Sequence, residues 1–105
     1  MILMKRIEPI MLRHLLDYLG VNDSISIVID NREFLWNKYT NSGVLKATTS
    51  EDGMVDYFRV EEMESIQECL SGNELSFTYD GFTHNLSFIE KKNINSLMNS
   101  VLLNA

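Results

Sequence analysis

Three side chains have the chemistry of metal ligands or nucleophiles, namely His14, His84 and Cys69. Their positions match no zinc-binding spacing, and the sequence contains no CxxC or HExxH pattern. Several glutamates lie close to Cys69 in the sequence, whereas a nucleophilic cysteine needs an electropositive setting. We therefore predict no metal site, no cofactor and no catalytic residue, and we expect a chain that is not an enzyme.

Carboxylates are concentrated in one segment of the chain. Residues 51–68 contain seven of them and one arginine, so this segment carries a charge of −6, which is also the net charge of the whole chain. Such a surface repels phosphate backbones, and we predict no direct nucleic-acid binding. It favours a basic protein surface, such as that of a nucleic-acid-binding protein. The predicted partner-binding residues are Tyr39, Glu51, Asp52, Asp56, Tyr57, Glu61, Glu62, Glu64 and Glu68. A solvated acidic face is the other interpretation that this pattern leaves open.

Length and composition favour one cytoplasmic domain. The chain has 105 residues, 45% of them hydrophobic, and we expect a single globular domain over residues 1–105. No apolar run approaches the roughly 20 residues of a membrane-spanning helix. The first residues, MILMKRIEP, lack the features of a secretory signal, and one cysteine suits a reducing compartment.

A leucine stripe predicts the first element, a helix. Four leucines recur at i, i+3, i+4 and i+7, and so share one face: Leu12, Leu15, Leu16 and Leu19. Pro9 suits the first turn of such a helix because its missing N–H costs nothing there. His14 lies on the opposite face, where we expect it to be solvated.

Two segments, 24–36 and 74–88, each predict a β-hairpin. In the second, Asp80-Gly81 is a preferred type I′ turn, and alternation agrees with it. The predicted pairs are Tyr79 with Phe82, Phe77 with His84, and Leu75 with Leu86, with all six side chains on one buried face. In this register His84 faces inward between aromatic neighbours, as a hydrogen-bonded structural histidine.

The first hairpin lacks a glycine, so its turn type stays open. If Asp30-Asn31 forms the turn, Ile27 pairs with Phe34 and Ile25 with Trp36. A turn at Asn31-Arg32 would shift the pairs without exchanging the faces.

The segment between these hairpins has weaker patterns. Residues 44–60 predict a hairpin that turns at Glu51-Asp52-Gly53 and places Lys46 opposite Arg59. Whether residues 44–50 form a strand is left open. Residues 61–70 predict a short helix with Met63, Ile66 and Leu70 inward, and residues 93–103 predict a last helix.

Together these elements predict an α+β fold in the order α-β-β-β-β-α-β-β-α. Short turns join most of the strands, so we expect an antiparallel sheet. Two or three amphipathic helices would pack on one face of it.

The first functional hypothesis is a small acidic protein-binding module that binds and occludes a partner. Inhibitors, immunity proteins and phage-encoded antagonists of host defence act in this way. Such a blocker needs shape and charge complementarity and no catalytic motif.

Two alternatives remain open. The segment MLRHLLDYLGV (residues 11–21) and the predicted element order resemble the small acidic chaperones of type III secretion effectors. That resemblance implies a dimeric chaperone or adaptor, and hence a homodimer. The other alternative is a small ligand-binding domain with its site between helix and sheet.

Overall fold

The computed structural model describes residues 6–19, 24–40, 42–69 and 74–88, which form one α-helix and eight β-strands. The helix is α1 (Pro9–Leu19), and a 3-10 turn spans Val60–Glu62. The strands are β1 (Arg6–Ile7), β2 (Ile25–Ile29), β3 (Arg32–Trp36), β4 (Val44–Ala47), β5 (Tyr57–Arg59), β6 (Glu64–Glu68), β7 (Glu74–Tyr79) and β8 (Phe82–Phe88). They form one antiparallel sheet in the order β1-β6-β7-β8-β2-β3-β4-β5, and this sheet curls into a half-barrel.

The predicted α+β fold, with two or three helices on one face of the sheet, is wrong. The described residues are mostly antiparallel β-structure with one helix. The sheet buries its inner face largely by curling: Phe58 of β5 packs edge-to-face on Phe77 of β7, with ring centroids 5.5 Å apart. These strands lie five positions apart in the sheet, so their contact closes the concave side. The helix predicted at 93–103 lies outside the described residues.

The helix predicted at residues 61–70 is also wrong, because strand β6 occupies most of that segment. A β-bulge explains the error. Three residue steps from Glu64 to Gln67 oppose only two steps on β7, and Ser65 adopts a left-handed φ of 50°. The extra residue places the buried side chains of Met63 and Ile66 three positions apart, which imitates helical spacing. Leu70, the third predicted inner residue, lies outside the described residues.

The leucine-rich helix is confirmed as α1, which begins at Pro9. Its stripe supplies three fully buried side chains: Leu12, Leu15 and Leu16. Asp17 accepts a hydrogen bond from Nε1 of Trp36 at 2.9 Å, and Arg13 forms an ion pair with Glu61. These contacts hold α1 at the end of the sheet where β3 finishes.

The second two-residue hairpin has the predicted register, and the first adopts the Asp30-Asn31 turn, one of the two that the sequence left open. Ile27 lies opposite Phe34 in the first, and Phe77 lies opposite His84 in the second. Asp30 and Asn31 have φ values of 51° and 67°, so this turn adopts the left-handed conformation of type I′ without a glycine. The predicted buried face of the second hairpin is wrong at Phe82, which is 71% exposed.

Strands β4 and β5 form the third predicted hairpin in a different register. Lys46 lies opposite Tyr57 and not opposite Arg59. The predicted turn is present, since the amide of Met54 donates to the carbonyl of Glu51 at 3.2 Å. The strands are short, however, and residues 48–56 form a long loop between them.

The two ends of the half-barrel therefore differ. At one end, α1 packs beside Trp36, and the guanidinium of Arg13 lies on Gly43, where a β-carbon would stand 3.6 Å from it. At the other end lie the β2–β3 turn, the loop 48–56 and the β7–β8 turn. We call this second end the mouth, and it positions the candidate site.

Candidate functional site

A cavity of about 400 Å³ opens at the mouth. Its volume falls within the roughly 300–1,000 Å³ of ligand pockets, and the mouths of β-barrels commonly carry such pockets. The β2–β3 turn, the loop 48–56 and the β7–β8 turn each contribute to its wall, over a floor of aromatic side chains. Residues from three distant parts of the sequence thus meet at one place.

Phe58 is the centre of the aromatic floor. Its ring lies 4.9 Å from that of Tyr79 and 5.0 Å from that of His84, both in edge-to-face geometry. It also contacts Phe34 in a tilted arrangement at 5.2 Å. Such aromatic pairs add roughly 0.5–1.5 kcal/mol each beyond the area they bury, so the floor is a rigid surface.

His84 forms one side of the cavity. Its Nδ1 lies 2.6 Å from Oδ2 of Asp30, and its ring stacks on Phe77 at 5.4 Å. The other oxygen of Asp30 accepts the backbone N–H of Asn85 at 3.0 Å. The inward-facing, hydrogen-bonded histidine predicted from the register is confirmed. Its position in the cavity wall was not predicted.

Arg32 holds the loop 48–56 against the sheet. Its guanidinium donates to the carbonyls of Thr49 and Val55 and to Oδ1 of Asp56, the last at 2.8 Å. Its Nε lies 3.9 Å from Glu51 and is a buried nitrogen that has no hydrogen bond within the part of the chain that the structure describes. The side chain is only 9% exposed. Sequence reasoning missed it, although Arg32 shares the inward face of β3 with Phe34 and Trp36.

Apolar side chains form an exposed surface around the cavity. Among the described residues, seven large hydrophobic side chains are exposed, and four of these lie at the mouth. They are Met54 (52% exposed), Val55 (45%), Tyr57 (49%) and Phe82 (71%), and we call them the apolar rim. Met54 and Val55 line both the cavity and a second depression, which also includes Tyr57. Of these four residues, the sequence pattern predicts only Tyr57 as a binding residue.

The predicted acidic residues do not form one helical face. Glu51 and Asp56 lie in the loop 48–56, where both approach Arg32. Asp52 is exposed in the same loop, next to Gly53 of the cavity wall. These three carboxylates therefore lie at or near the mouth.

The other acidic candidates are spread along the chain. Glu61 pairs with Arg13 beside α1, whereas Glu62 accepts the phenolic O–H of Tyr79 at 3.1 Å. Glu64 and Glu68 are the ends of β6, which lies away from the loop 48–56 in the strand order. Glu62 also lines the depression beside Tyr57, so it adds a carboxylate to the edge of the apolar rim.

Tyr39 is far from the mouth, in the turn that follows β3. Its side chain is well exposed, and the ammonium of Lys38 lies 5.1 Å from its ring. The side-chain oxygen of Asn37 accepts the backbone N–H groups of Tyr39 and Thr40, which fixes the turn. The fold thus places Tyr39 apart from Tyr57, the other predicted tyrosine.

Two described side chains have a raised pKa. Burial is the main cause of the raised pKa of the Tyr79 phenol, and the neighbouring carboxylate of Glu62 adds to it, while the N–H of Arg59 acts in the opposite direction. Burial, followed by the charge of Glu74, raises the pKa of the Cys69 thiol. A raised thiol pKa is the opposite of what a cysteine nucleophile needs.

Residues 6–19, 24–40, 42–69 and 74–88 contain no group of three or more His, Cys, Asp or Glu side chains placed to hold a metal ion. Within the same ranges, no helix has the length and apolar character needed to cross a bilayer. Comparison of the chain with protein-family models, curated proteins and solved structures found no match.

Proposed function

We propose that this chain is a non-enzymatic protein-binding module that uses the mouth of the half-barrel to cover a basic surface of a partner protein. The activity would be occlusion, as in inhibitors, immunity proteins and phage-encoded antagonists of host defence. One observation carries the proposal: the apolar rim lies at the edge of a cavity and has carboxylates beside it. Apolar patches with a polar border are typical of protein-interaction surfaces.

Rigidity supports the proposal. Met54 and Val55 lie in the loop 48–56, which Arg32 fastens to the sheet through three acceptors. Phe82 follows a tight type I′ turn. A rim that is ordered before binding loses less conformational entropy when a partner docks.

Charge supports a basic partner. Four carboxylates lie at the cavity or at the adjoining depression: Asp30, Asp56, Glu62 and Asp80. Together with the net charge of −6, they would steer a positively charged surface toward the rim and accelerate association. This arrangement refines the hypothesis drawn from the sequence. The carboxylates lie around an apolar centre and do not form one acidic face. The proposal keeps the chain in the cytoplasm, where free Cys69 stays reduced.

The test is quantitative capture of partners from an extract of the natural host. The double variant Met54→Ser/Phe82→Ser removes apolar area from the rim, whereas Ile10→Ser/Tyr18→Ser removes exposed apolar area from α1 and serves as the matched control. We expect one partner to be retained by the wild type and the control and lost from the rim variant, and rising salt should weaken its capture. Equal retention by both double variants would exclude the mouth as the interface.

The chaperone alternative rested on residues 11–21 and on the predicted element order. Helix α1 is present, but β6 replaces the helix that this order placed at residues 61–70, which weakens the alternative. A small ligand-binding domain is the second candidate, and the cavity of about 400 Å³ is the observation that favours it. Native mass spectrometry of the purified chain tests this alternative. A host metabolite that remains bound to the wild type and to the α1 control, but not to the rim variant, would favour it over protein binding.

A further inference from the structure

We infer that the cavity at the mouth receives one cationic side chain, an arginine or a lysine, from the partner surface. This inference rests on the proposed function and specifies the chemistry at the centre of the interface. Three features carry it: the aromatic walls of the cavity, the charge of its lining and its size.

The aromatic walls can attract a cation to the π-faces of their rings. Phe34, Phe58, Tyr79 and Phe82 line the cavity, and His84 lies beside Phe58. A cation within about 6 Å of an aromatic ring is attracted by the ring quadrupole, by roughly 0.5–1 kcal/mol at exposed sites. Within this chain, Arg32 already lies 5.6 Å from the ring of Phe34, so the same floor accommodates a guanidinium on one side.

The charge of the lining favours a positive occupant over a negative one. Asp30 and Asp80 line the cavity, and the charge of Arg32 is directed to Asp56 and to the carbonyls of the loop 48–56. An anion would face two carboxylates, while the guanidinium that could attract it already binds other acceptors. A cation would meet the carboxylate of Asp80 over apolar rings, beside Asp30, whose two oxygens already bind His84 and the N–H of Asn85.

The size of the cavity suits a single long side chain. Its volume of about 400 Å³ lies toward the lower end of the roughly 300–1,000 Å³ of ligand pockets. Long basic side chains also bury their methylene stems against apolar walls while the charged head reaches the rim.

Asp80 provides the most direct variant for a test. It is exposed in the β7–β8 turn with a φ of 50°. Asparagine tolerates this left-handed conformation, so Asp80→Asn removes the charge and keeps the turn. Glu74→Gln is the matched control, because Glu74 is exposed at the start of β7, at the opposite end of that strand from Asp80, and does not line the cavity.

The experiment is an NMR titration of the isotopically labelled full chain with N-acetyl-arginine-N-methylamide. Its neutral analogue with citrulline in place of arginine is the second probe. We expect saturating shifts at the cavity residues with the arginine probe and an affinity at least about fivefold lower for the citrulline probe. Asp80→Asn should weaken arginine binding by about two- to fivefold, and Glu74→Gln should leave it within error.

Equal affinity for the two probes, equal effects of the two variants, or shifts outside the cavity would each overturn the inference. If the rim variant loses the partner but the arginine probe does not bind, the proposed protein-binding function stands. The inference of a cationic occupant in the cavity is then wrong. If the probe binds but the rim variant keeps its partner, the mouth is not the partner-binding surface and the proposed function fails. The arginine site in the cavity then does not anchor that partner.

With a captured partner, a double-mutant cycle locates the side chain. One arginine or lysine of the partner, changed to alanine, should weaken binding and should be non-additive with Asp80→Asn, but additive with Glu74→Gln. Additivity of every basic position with Asp80→Asn would contradict the inference.

Discussion

Nη2 of Arg32 lies 2.8 Å from Oδ1 of Asp56, and this ion pair fastens the loop 48–56 to the curled sheet. The same guanidinium donates to the carbonyls of Thr49 and Val55, so one side chain binds both arms of the loop. The shape of the mouth therefore depends on a buried cation within the chain. That shape in turn positions the apolar rim.

Replacing Arg32 should loosen the mouth. Arg32→Met removes three charge-assisted hydrogen bonds, and we expect a loss of about 2 kcal/mol in the free energy of unfolding. Arg32→Lys keeps the charge but lacks the planar geometry that reaches three acceptors, so it should lose a similar amount of stability.

Urea denaturation measures the free energy of unfolding of these variants, and amide hydrogen exchange measures how readily the loop 48–56 opens. Lys46→Met, an exposed change on β4, is the control. Wild-type stability and loop exchange in both Arg32 variants would contradict this role.

Substitutions at Ser65 distinguish the observed bulge from the helix expected by sequence. Ser65 has a φ of 50°, a conformation that glycine adopts without strain and alanine does not. We expect Ser65→Gly to be more stable than Ser65→Ala by about 1 kcal/mol, measured by thermal or urea unfolding. In a helix the order would be reversed by a similar amount, because alanine is the better helix former. A more stable alanine variant would therefore refute the bulge.

The raised pKa of Tyr79 predicts a loss of stability at alkaline pH. The folded state favours the protonated phenol, so its contribution to stability is full below the unfolded-state pKa of about 10 and is lost as the pH rises through the higher folded pKa. Tyr79→Phe should remove this component from unfolding curves above pH 10. The difference between the alkaline absorbance titrations of the wild type and of Tyr79→Phe isolates this phenol among the four tyrosines of the chain. Glu62→Gln should lower the pKa of Tyr79, and Glu64→Gln is the control. A Tyr79 phenol with the same pKa in the folded and in the unfolded chain would contradict this prediction.

The sequence was sufficient to predict the elements whose local signals agree. Pro9 and the leucine stripe predict α1, and Asp80-Gly81 predicts both a turn and the register that pairs Phe77 with His84. In these cases turn chemistry or periodicity acts within about a dozen residues. Local agreement of that kind is sufficient to fix a local structure.

The errors arise where distant segments determine the structure. The bulge at Ser65 gives Met63 and Ile66 a helical spacing within a strand, and only pairing with β7 distinguishes the two. Nothing in the alternation of residues 44–60 indicates that Arg32 holds the loop 48–56. The candidate site was missed for the same reason, because the mouth combines turns that lie up to about 50 residues apart in sequence, and curling of the sheet brings Phe58 and His84 together.

The central claim is that the mouth is the partner-binding surface, and hydrogen exchange of the full chain with and without its captured partner tests it most directly. We expect the partner to slow amide exchange in the loop 48–56 and in residues 80–83, and to leave α1 unchanged. Protection of α1 with no change at the mouth, or the absence of any protein that the wild type binds, would contradict the account.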